Sequence, residues 1–214
     1  MQVAPRYEGP SIVRFVGDGT DGAGLGAAFV RQRERLVDSL GELDDDAWRA
    51  PSRCEGWTVQ DVAAHLEGVN RFWQWSITNG LAGTPTRLLD GFDPKATPAA
   101  MVAVALAEGP PPAATLGALA ESSEALCAQV EALDGDQWTM LAEGPAGHIP
   151  ILAVVHHALW DCWVHERDIG LPLGQPVAEE PDEVLACLRF SAALGPAFAL
   201  QAGMSTPCVR IVAA

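Results

Sequence analysis

Residues 156–170, HHALWDCWVHERDIG, combine three of the chain's five histidines with two aspartates in a stretch that is otherwise largely apolar. Burying such polar groups costs free energy unless they are hydrogen-bonded, paired or bound to a metal. On a helix with about 100° of rotation per residue, His157, Asp161, His165 and Asp168 fall on one face about 100° wide. The stretch therefore predicts an apolar helix with one polar face, whose side chains could bind a metal or take part in catalysis.

The spacing of Asp161 and His165 suits a shared metal ion. The two residues are four apart, so on a helix their side chains lie one above the other and can converge on one point. A third ligand must come from another helix, and His65 lies in the apolar half of the helix predicted around it. Two imidazoles and one carboxylate leave one coordination position open, a set that suits catalytic zinc, nickel or ferrous iron.

Simpler interpretations of these histidines stay open. His65 could be a core histidine without a ligand, and the aspartate and histidine four residues apart could be only a hydrogen-bonded pair. His157 also lies four residues from the aspartate and could replace His165 as the ligand. The two lie about 12 Å apart along the helix axis, so they cannot both bind one ion. No ligand role is predicted for His148, in a predicted loop, or for His156.

Five amphipathic segments must position these residues. The predicted helices, with a short additional helix at 99–109, cover 22–43, 58–80, 113–133, 150–170 and 181–202. Thr58 is the predicted N-cap of the second helix, with Asp61 as the acid of a capping box. The only predicted strand is the tail PCVRIVAA, residues 207–214. The predicted organisation is an irregular segment at 1–20, a helical domain at 21–204 and a short tail at 205–214.

A short internal sequence repeat predicts how the helices pair. LDDDAW at 43–48 and LDGDQW at 133–138 share the pattern Leu-Asp-x-Asp-x-Trp, and each closes a helix. Two similar helix-loop-helix units indicate a four-helix bundle with pseudo-twofold character. The predicted fold class is therefore all-α: a four-helix bundle with an additional C-terminal helix and a short terminal strand.

Composition restricts the partners and the compartment. The net charge is −15, which argues against nucleic acid and anionic membrane surfaces, because these bind basic proteins. No signal peptide or membrane span is predicted. The five cysteines are scattered without a metal-binding or disulfide spacing, which favours reduced thiols and a cytoplasmic protein. Surplus apolar residues on the fifth helix, such as Leu188 and Phe190, predict a homodimer.

Two motifs resemble the DinB-like superfamily and, more narrowly, the N-terminal domain of mycothiol-dependent maleylpyruvate isomerases. PSRCEGWTVQDVAAHL, residues 51–66, leads into the histidine-bearing helix, and WDCWVHERDIG, residues 160–170, ends in His-x-x-Asp. The resemblance covers about residues 20–200. It implies a four-helix bundle that holds a divalent metal, usually zinc, through His65, Asp161 and His165. The family usually has Glu where this chain has Asp161, which bears on the affinity and identity of the metal.

The resemblance also implies a thiol-dependent reaction. A bound divalent cation favours the thiolate of mycothiol or a similar small thiol, which then attacks a small electrophile. The product is either an isomer or a thiol-transfer product. Asp168 is expected to orient His165 as a hydrogen-bond acceptor, and Arg167 to meet an anionic substrate, so both are predicted to bind the co-substrate. The isomerases continue into an α/β domain of which residues 207–214 are the only trace expected here, so only a small electrophile is predicted.

Two other classes of function compete with the enzyme. A DinB-type bundle can serve as a non-catalytic metal- or small-molecule-binding or regulatory module. An unrelated helical protein could line an apolar pocket with its Trp-rich helices. The chain has no Gly-rich phosphate loop, no GxSxG motif and no HExxH motif, so no catalytic residue is assigned.

Overall fold

Seven α-helices and one β-hairpin form the part of the chain that the computed structural model describes, which comprises residues 5–11, 13, 15, 22–93, 96–201 and 203. The helices are α1 (Gly22–Gly41), α2 (Asp45–Arg49), α3 (Val59–Leu81), α4 (Ala96–Ala105), α5 (Pro112–Glu131), α6 (Ile151–Gly170) and α7 (Pro181–Gln201). The strands are β1 (Leu141–Gly144) and β2 (Gly147–Pro150). The predicted strand at 207–214 lies outside the described residues.

Four of the five long helices, α1, α3, α5 and α6, pack against one another and confirm the predicted bundle. Their shared core includes Phe29, Ile77, Leu126 and Leu159, each at most 1% exposed. Full burial of one such side chain stabilises the fold by about 1.5–3 kcal/mol. The short α4 packs on α3, and α7 packs on α6 and α1.

The start of α3 is fixed by local hydrogen bonds, as the sequence predicts. The Thr58 hydroxyl accepts from the backbone N–H of Asp61 at 3.2 Å, and the Asp61 carboxylate accepts from the backbone N–H of Thr58 at 2.7 Å. This reciprocal capping box satisfies two backbone donors that the helix itself leaves unpaired. It fixes where α3 begins and therefore where His65 lies.

An ion-pair network attaches α7 to the bundle. Arg35 on α1 binds Glu166 on α6 and Glu183 on α7, each at 2.7 Å. The Glu183 side chain is fully buried and also binds Arg31 at 3.0 Å. A buried carboxylate is stable only when it is paired in this way, so the network fixes how α7 lies against α1 and α6.

The hairpin corrects the expectation that the tail holds the only strand and that His148 lies in a loop. His148 is on β2, and its Nε2 lies 2.8 Å from the Thr86 carbonyl oxygen. On β1, the fully buried Glu143 accepts hydrogen bonds from Tyr7 and Thr86, each at 2.6 Å. The hairpin therefore joins the N-terminal segment and the loop after α3 to the bundle. Arg6 also pairs with Gly147 by a parallel bridge, so this part of the predicted irregular segment has a defined partner.

Two further findings concern the surface. Leu188 on α7 is 53% exposed, whereas Phe190 is buried, so only part of the predicted apolar surplus reaches the surface, and the homodimer stays a prediction. Among the helices that the structure describes, none combines the length and the apolar character that a membrane crossing requires.

Candidate metal centre

The packing of α3 against α6 brings His65, Asp161 and His165 together. His65 Nε2 lies 3.8 Å from one carboxylate oxygen of Asp161, and His165 Nε2 lies 3.8 Å from the other. The two imidazole rings meet edge to face with their centroids 5.0 Å apart. Potential ligand atoms of all three residues lie within 4.8 Å of one another. The geometry thus assembles the three residues that the sequence and the resemblance select.

These three side chains fit a divalent cation. Two nitrogen or oxygen ligands of one tetrahedral zinc ion lie about 3.4 Å apart, since each is about 2.0–2.2 Å from the metal. The observed separations of 3.8 Å are longer than a hydrogen bond and only slightly longer than this value. Asp161 thus lies close to ligand distance from both histidines, ligand atoms of the three residues lie within 4.8 Å of one another, and the donor set suits zinc, nickel and ferrous iron.

The centre is accessible from solvent. The side chains of His65, Asp161 and His165 are 11%, 18% and 14% exposed. The half-buried Trp57, just before the start of α3, lies beside His65 with the ring centroids 5.3 Å apart. The three side chains thus reach solvent in part, and the Trp57 ring lies against one side of His65.

Asp168 orients His165. Its carboxylate lies 3.1 Å from Nδ1 of His165, so the Nδ1–H donates to it and Nε2 faces Asp161. A carboxylate in this position fixes the imidazole tautomer whose free nitrogen binds a metal. Burial by itself would lower the pKa of His165, but hydrogen bonds to Asp168 and Cys54 and the charge of Asp161 raise it to about 10. Without a metal, His165 is therefore protonated at neutral pH.

His65 has the opposite electrostatic environment. Burial lowers its pKa, and the nearby charge of Asp161 only partly opposes this effect. Its imidazole is therefore neutral at neutral pH and has a lone pair for a metal. The two histidines of the centre thus differ in protonation although they face the same carboxylate.

Cys54 is a neighbour of this centre that the sequence analysis did not select. Its Sγ lies 3.3 Å from the Asp168 carboxylate and 3.7 Å from His165 Nδ1. The loop between α2 and α3 holds it there, because the backbone N–H of Arg53 donates to the Asp168 carbonyl at 3.0 Å. The motif PSRCEGWT contains the signal, since Cys54 stands four residues before the N-cap Thr58.

Arg167 does not face the centre. Its guanidinium stacks on Trp163, 3.2 Å from the ring centroid, and donates to the carbonyl oxygens of Trp163 and Ala178. These contacts hold the chain that follows α6 against the helix. Its predicted part in binding the co-substrate has no geometric support among the described contacts and stays a prediction.

His157, the alternative ligand, lies in an aromatic cluster. Its ring stacks on Phe190 with centroids 4.5 Å apart and lies 4.9 Å from the ring of Trp73. It is absent from the described groups whose ligand atoms could share an ion. The geometry therefore favours His165 over His157 as the partner of Asp161.

Comparison with known proteins identifies the family. The family model for the mycothiol maleylpyruvate isomerase N-terminal domain matches residues 29–170. Two solved structures have the same fold: a mycothiol-dependent maleylpyruvate isomerase, with a TM-score of 0.65, and a histidine-to-alanine mutant of such an isomerase, with a TM-score of 0.64. Each is 17% identical in sequence and aligns over 80% of this chain and 68% of its own. No curated protein matches. Because the family model covers most of the described chain, this protein belongs to the mycothiol maleylpyruvate isomerase N-terminal domain family.

Proposed function

We propose that this protein is a cytoplasmic, divalent-metal-dependent enzyme that uses mycothiol or a similar small thiol to isomerise a small electrophile or to transfer the thiol to it. The observation that carries the proposal is the convergence of His65, Asp161 and His165 from two packed helices at a partly exposed point. Zinc is the expected ion, with nickel or iron as alternatives, because two imidazoles and one carboxylate suit all three.

Each side chain of the centre has a distinct part in this function. His65 and His165 would hold the ion through Nε2, and Asp161 through its carboxylate. When bound, a divalent ion supplies the charge that lowers the pKa of a thiol and so favours its thiolate near neutral pH. Asp168 keeps the proton of His165 on Nδ1, and Trp57 covers one side of His65.

The thiolate can act on an electrophile in two ways. It can add to an activated alkene and leave again after bond rotation, which isomerises the alkene without net consumption of thiol. It can instead displace a leaving group, which forms a thioether and releases that group. Both reactions begin with the same thiolate nucleophile at the candidate metal centre.

Metal content of purified variants tests the centre. Wild-type protein and the variants His65→Ala, His165→Ala and His148→Ala are dialysed against a weak chelator and analysed by mass spectrometry. We expect His65→Ala and His165→Ala to lose most of the metal, because each loses one of three ligands. His148→Ala is the matched control, since His148 is bonded to the Thr86 carbonyl outside the centre. Equal metal in wild type and His65→Ala would refute the centre. If His157→Ala lost the metal and His165→Ala kept it, the metal centre would lie one turn earlier on α6.

Turnover tests the reaction. The metal-loaded protein is assayed with mycothiol and smaller thiols against cis-alkene diacids, including maleylpyruvate, and against alkyl halides. We expect turnover that requires both the thiol and the metal and that is absent in His65→Ala. Stoichiometric metal without thiol-dependent turnover on any of these electrophiles would instead favour a binding or regulatory module.

A further inference from the structure

The loop between α2 and α3 brings a sulfur ligand to the side of His165 that His65 and Asp161 do not use. We propose that Cys54, Asp168 and Nδ1 of His165 form a second cation position, which takes thiophilic divalent ions such as Cd²⁺. Ligand atoms of these three residues also lie within 4.8 Å of one another. This inference goes beyond the proposed function, because it uses the opposite nitrogen of His165 and requires neither a thiol co-substrate nor His65.

The distances fit one ion. A tetrahedral zinc ion about 2.3 Å from sulfur and about 2.0–2.2 Å from nitrogen and oxygen separates its ligands by about 3.3–3.6 Å. The observed separations are 3.1 Å from His165 Nδ1 to Asp168, 3.3 Å from Cys54 to Asp168 and 3.7 Å from Cys54 to His165 Nδ1. Each therefore lies within a few tenths of an ångström of the required value. The separations of 3.8 Å in the His65 centre deviate more.

The backbone preorganises this second position. The Cys54 N–H donates to the Ser52 hydroxyl at 3.1 Å, and the Cys54 carbonyl accepts from the Trp57 N–H at 3.0 Å. The bond from the Arg53 N–H to the Asp168 carbonyl then ties this turn to the end of α6. The spacing of Cys54 and Asp168 is thus set by main-chain bonds as well as by their side chains, which lowers the entropy lost on binding an ion.

An ion can also enter this position. Cys54 is half-buried and the Asp168 side chain is 15% exposed, whereas Cys127, Cys162 and Cys187 are buried. Among the described cysteines, Cys54 is thus the one whose thiol is both accessible and beside two other ligands.

The two positions exclude each other because they share one imidazole. A neutral imidazole has one lone pair and one N–H. When Nε2 binds an ion beside His65, Nδ1 keeps its proton and donates to Asp168. When Nδ1 binds an ion beside Cys54, the proton is on Nε2 and faces Asp161. Thiolate ligands select softer ions, so the identity of the metal decides which position is filled.

Cadmium titration tests the second position, since a thiolate bound to Cd²⁺ gives a ligand-to-metal charge-transfer band in the ultraviolet. Metal-free wild-type protein should develop this band up to one equivalent. We expect Cys54→Ser, Cys54→Ala and His165→Ala to lose the band. His65→Ala and the control Cys187→Ser, which removes a buried thiol, should keep it. Circular dichroism establishes that each variant is folded.

Two outcomes would overturn the proposal. A band of full size in folded Cys54→Ser would assign the thiolate to another cysteine. Loss of the band in His65→Ala as well as in Cys54→Ser would make Cys54 a fourth ligand of one shared centre. Failure of the proposed function has a different signature: zinc content unchanged by His65→Ala, with a cadmium band that still requires Cys54, would refute the first centre and leave the second.

Discussion

Acid should destabilise this protein through His156, a buried histidine on α6 that belongs to neither cation position. Its side chain is 1% exposed and stacks on Phe15 with the ring centroids 4.3 Å apart. Its Nδ1–H donates to the carbonyl oxygen of Leu152 at 2.8 Å. Burial lowers its pKa to about 4, and the bond to Leu152 only partly opposes this shift. His156 is therefore neutral in the folded protein at pH values where the unfolded chain is protonated.

The sign and size of the effect follow from proton linkage. The unfolded pKa is about 6.5, so between pH 6.5 and 4 the unfolded chain binds a proton at His156 that the folded protein does not bind. The free energy of unfolding therefore falls as the pH falls through this window, by about 2 kcal/mol at pH 5 and about 3 kcal/mol at pH 4. His165, with its pKa raised to about 10, contributes stability that is complete below pH 6.5 and is lost as the pH rises through 10. His165 therefore does not contribute to the fall in unfolding free energy between pH 6.5 and pH 4.

Urea unfolding of metal-free protein at pH 7 and pH 5 measures this effect in wild type and in His156→Phe. Phenylalanine keeps the stack on Phe15 and removes the titrating group. We expect the loss of unfolding free energy between the two pH values to be about 2 kcal/mol smaller in His156→Phe than in wild type. Equal losses of unfolding free energy in the two proteins would refute the predicted role of His156, because it would then titrate alike in the folded and unfolded states.

Four further predictions concern packing, charge and the metal. Gly80→Ala should destabilise the fold by about 1–3 kcal/mol in urea unfolding, because its Cβ would lie 2.6 Å from a backbone oxygen of β1. Gly117→Ala, on α5, should instead stabilise it by about 0.5–1 kcal/mol, because the added Cβ would meet nothing within 4 Å beyond its neighbours and the backbone of its own helix. Arg35→Leu should cost about 2–4 kcal/mol in the same assay, since the buried Glu183 loses its shortest ion pair. Asp168→Ala should weaken zinc binding by about 10- to 100-fold in a chelator competition, because the imidazole loses its orienting acceptor; unchanged affinity would contradict that role.

The helices were predictable because their signals are local. Thr58 and Asp61 form the predicted capping box, and α6 ends at Gly170, as the sequence indicates. Its start differs by one residue, since Pro150 is the N-cap of α6 and the sequence placed it in the first turn. The hairpin was not predictable in this way. Its strands have four residues each, too few to show an alternating pattern, and the acidic Glu143 is buried. Its carboxylate is satisfied by Tyr7 and Thr86, which are distant in sequence.

The same distinction applies to the candidate metal centre. Helical spacing pairs Asp161 with either His157 or His165. The family resemblance selects His165, and together with the apolar surroundings of His65 it selects the third residue. Cys54 escaped prediction because its contact with His165 depends on the loop after α2 docking onto the end of α6. No periodicity in the sequence encodes that contact. The resemblance marked the motif that contains Cys54, but only the tertiary structure shows what the thiol faces.

The packing of α3 against α6 also sets the order in which the protein can mature. About a hundred residues separate His65 from Asp161, so the candidate centre depends on a contact of long sequence separation. A nascent chain synthesised only through α5 carries His65 without Asp161 or His165, and its α3 has no α6 to pack against. Domains fold as units once their elements have been synthesised. Capture of an ion at the candidate centre would therefore have to follow the docking of α6, so the ion would stabilise the assembled bundle.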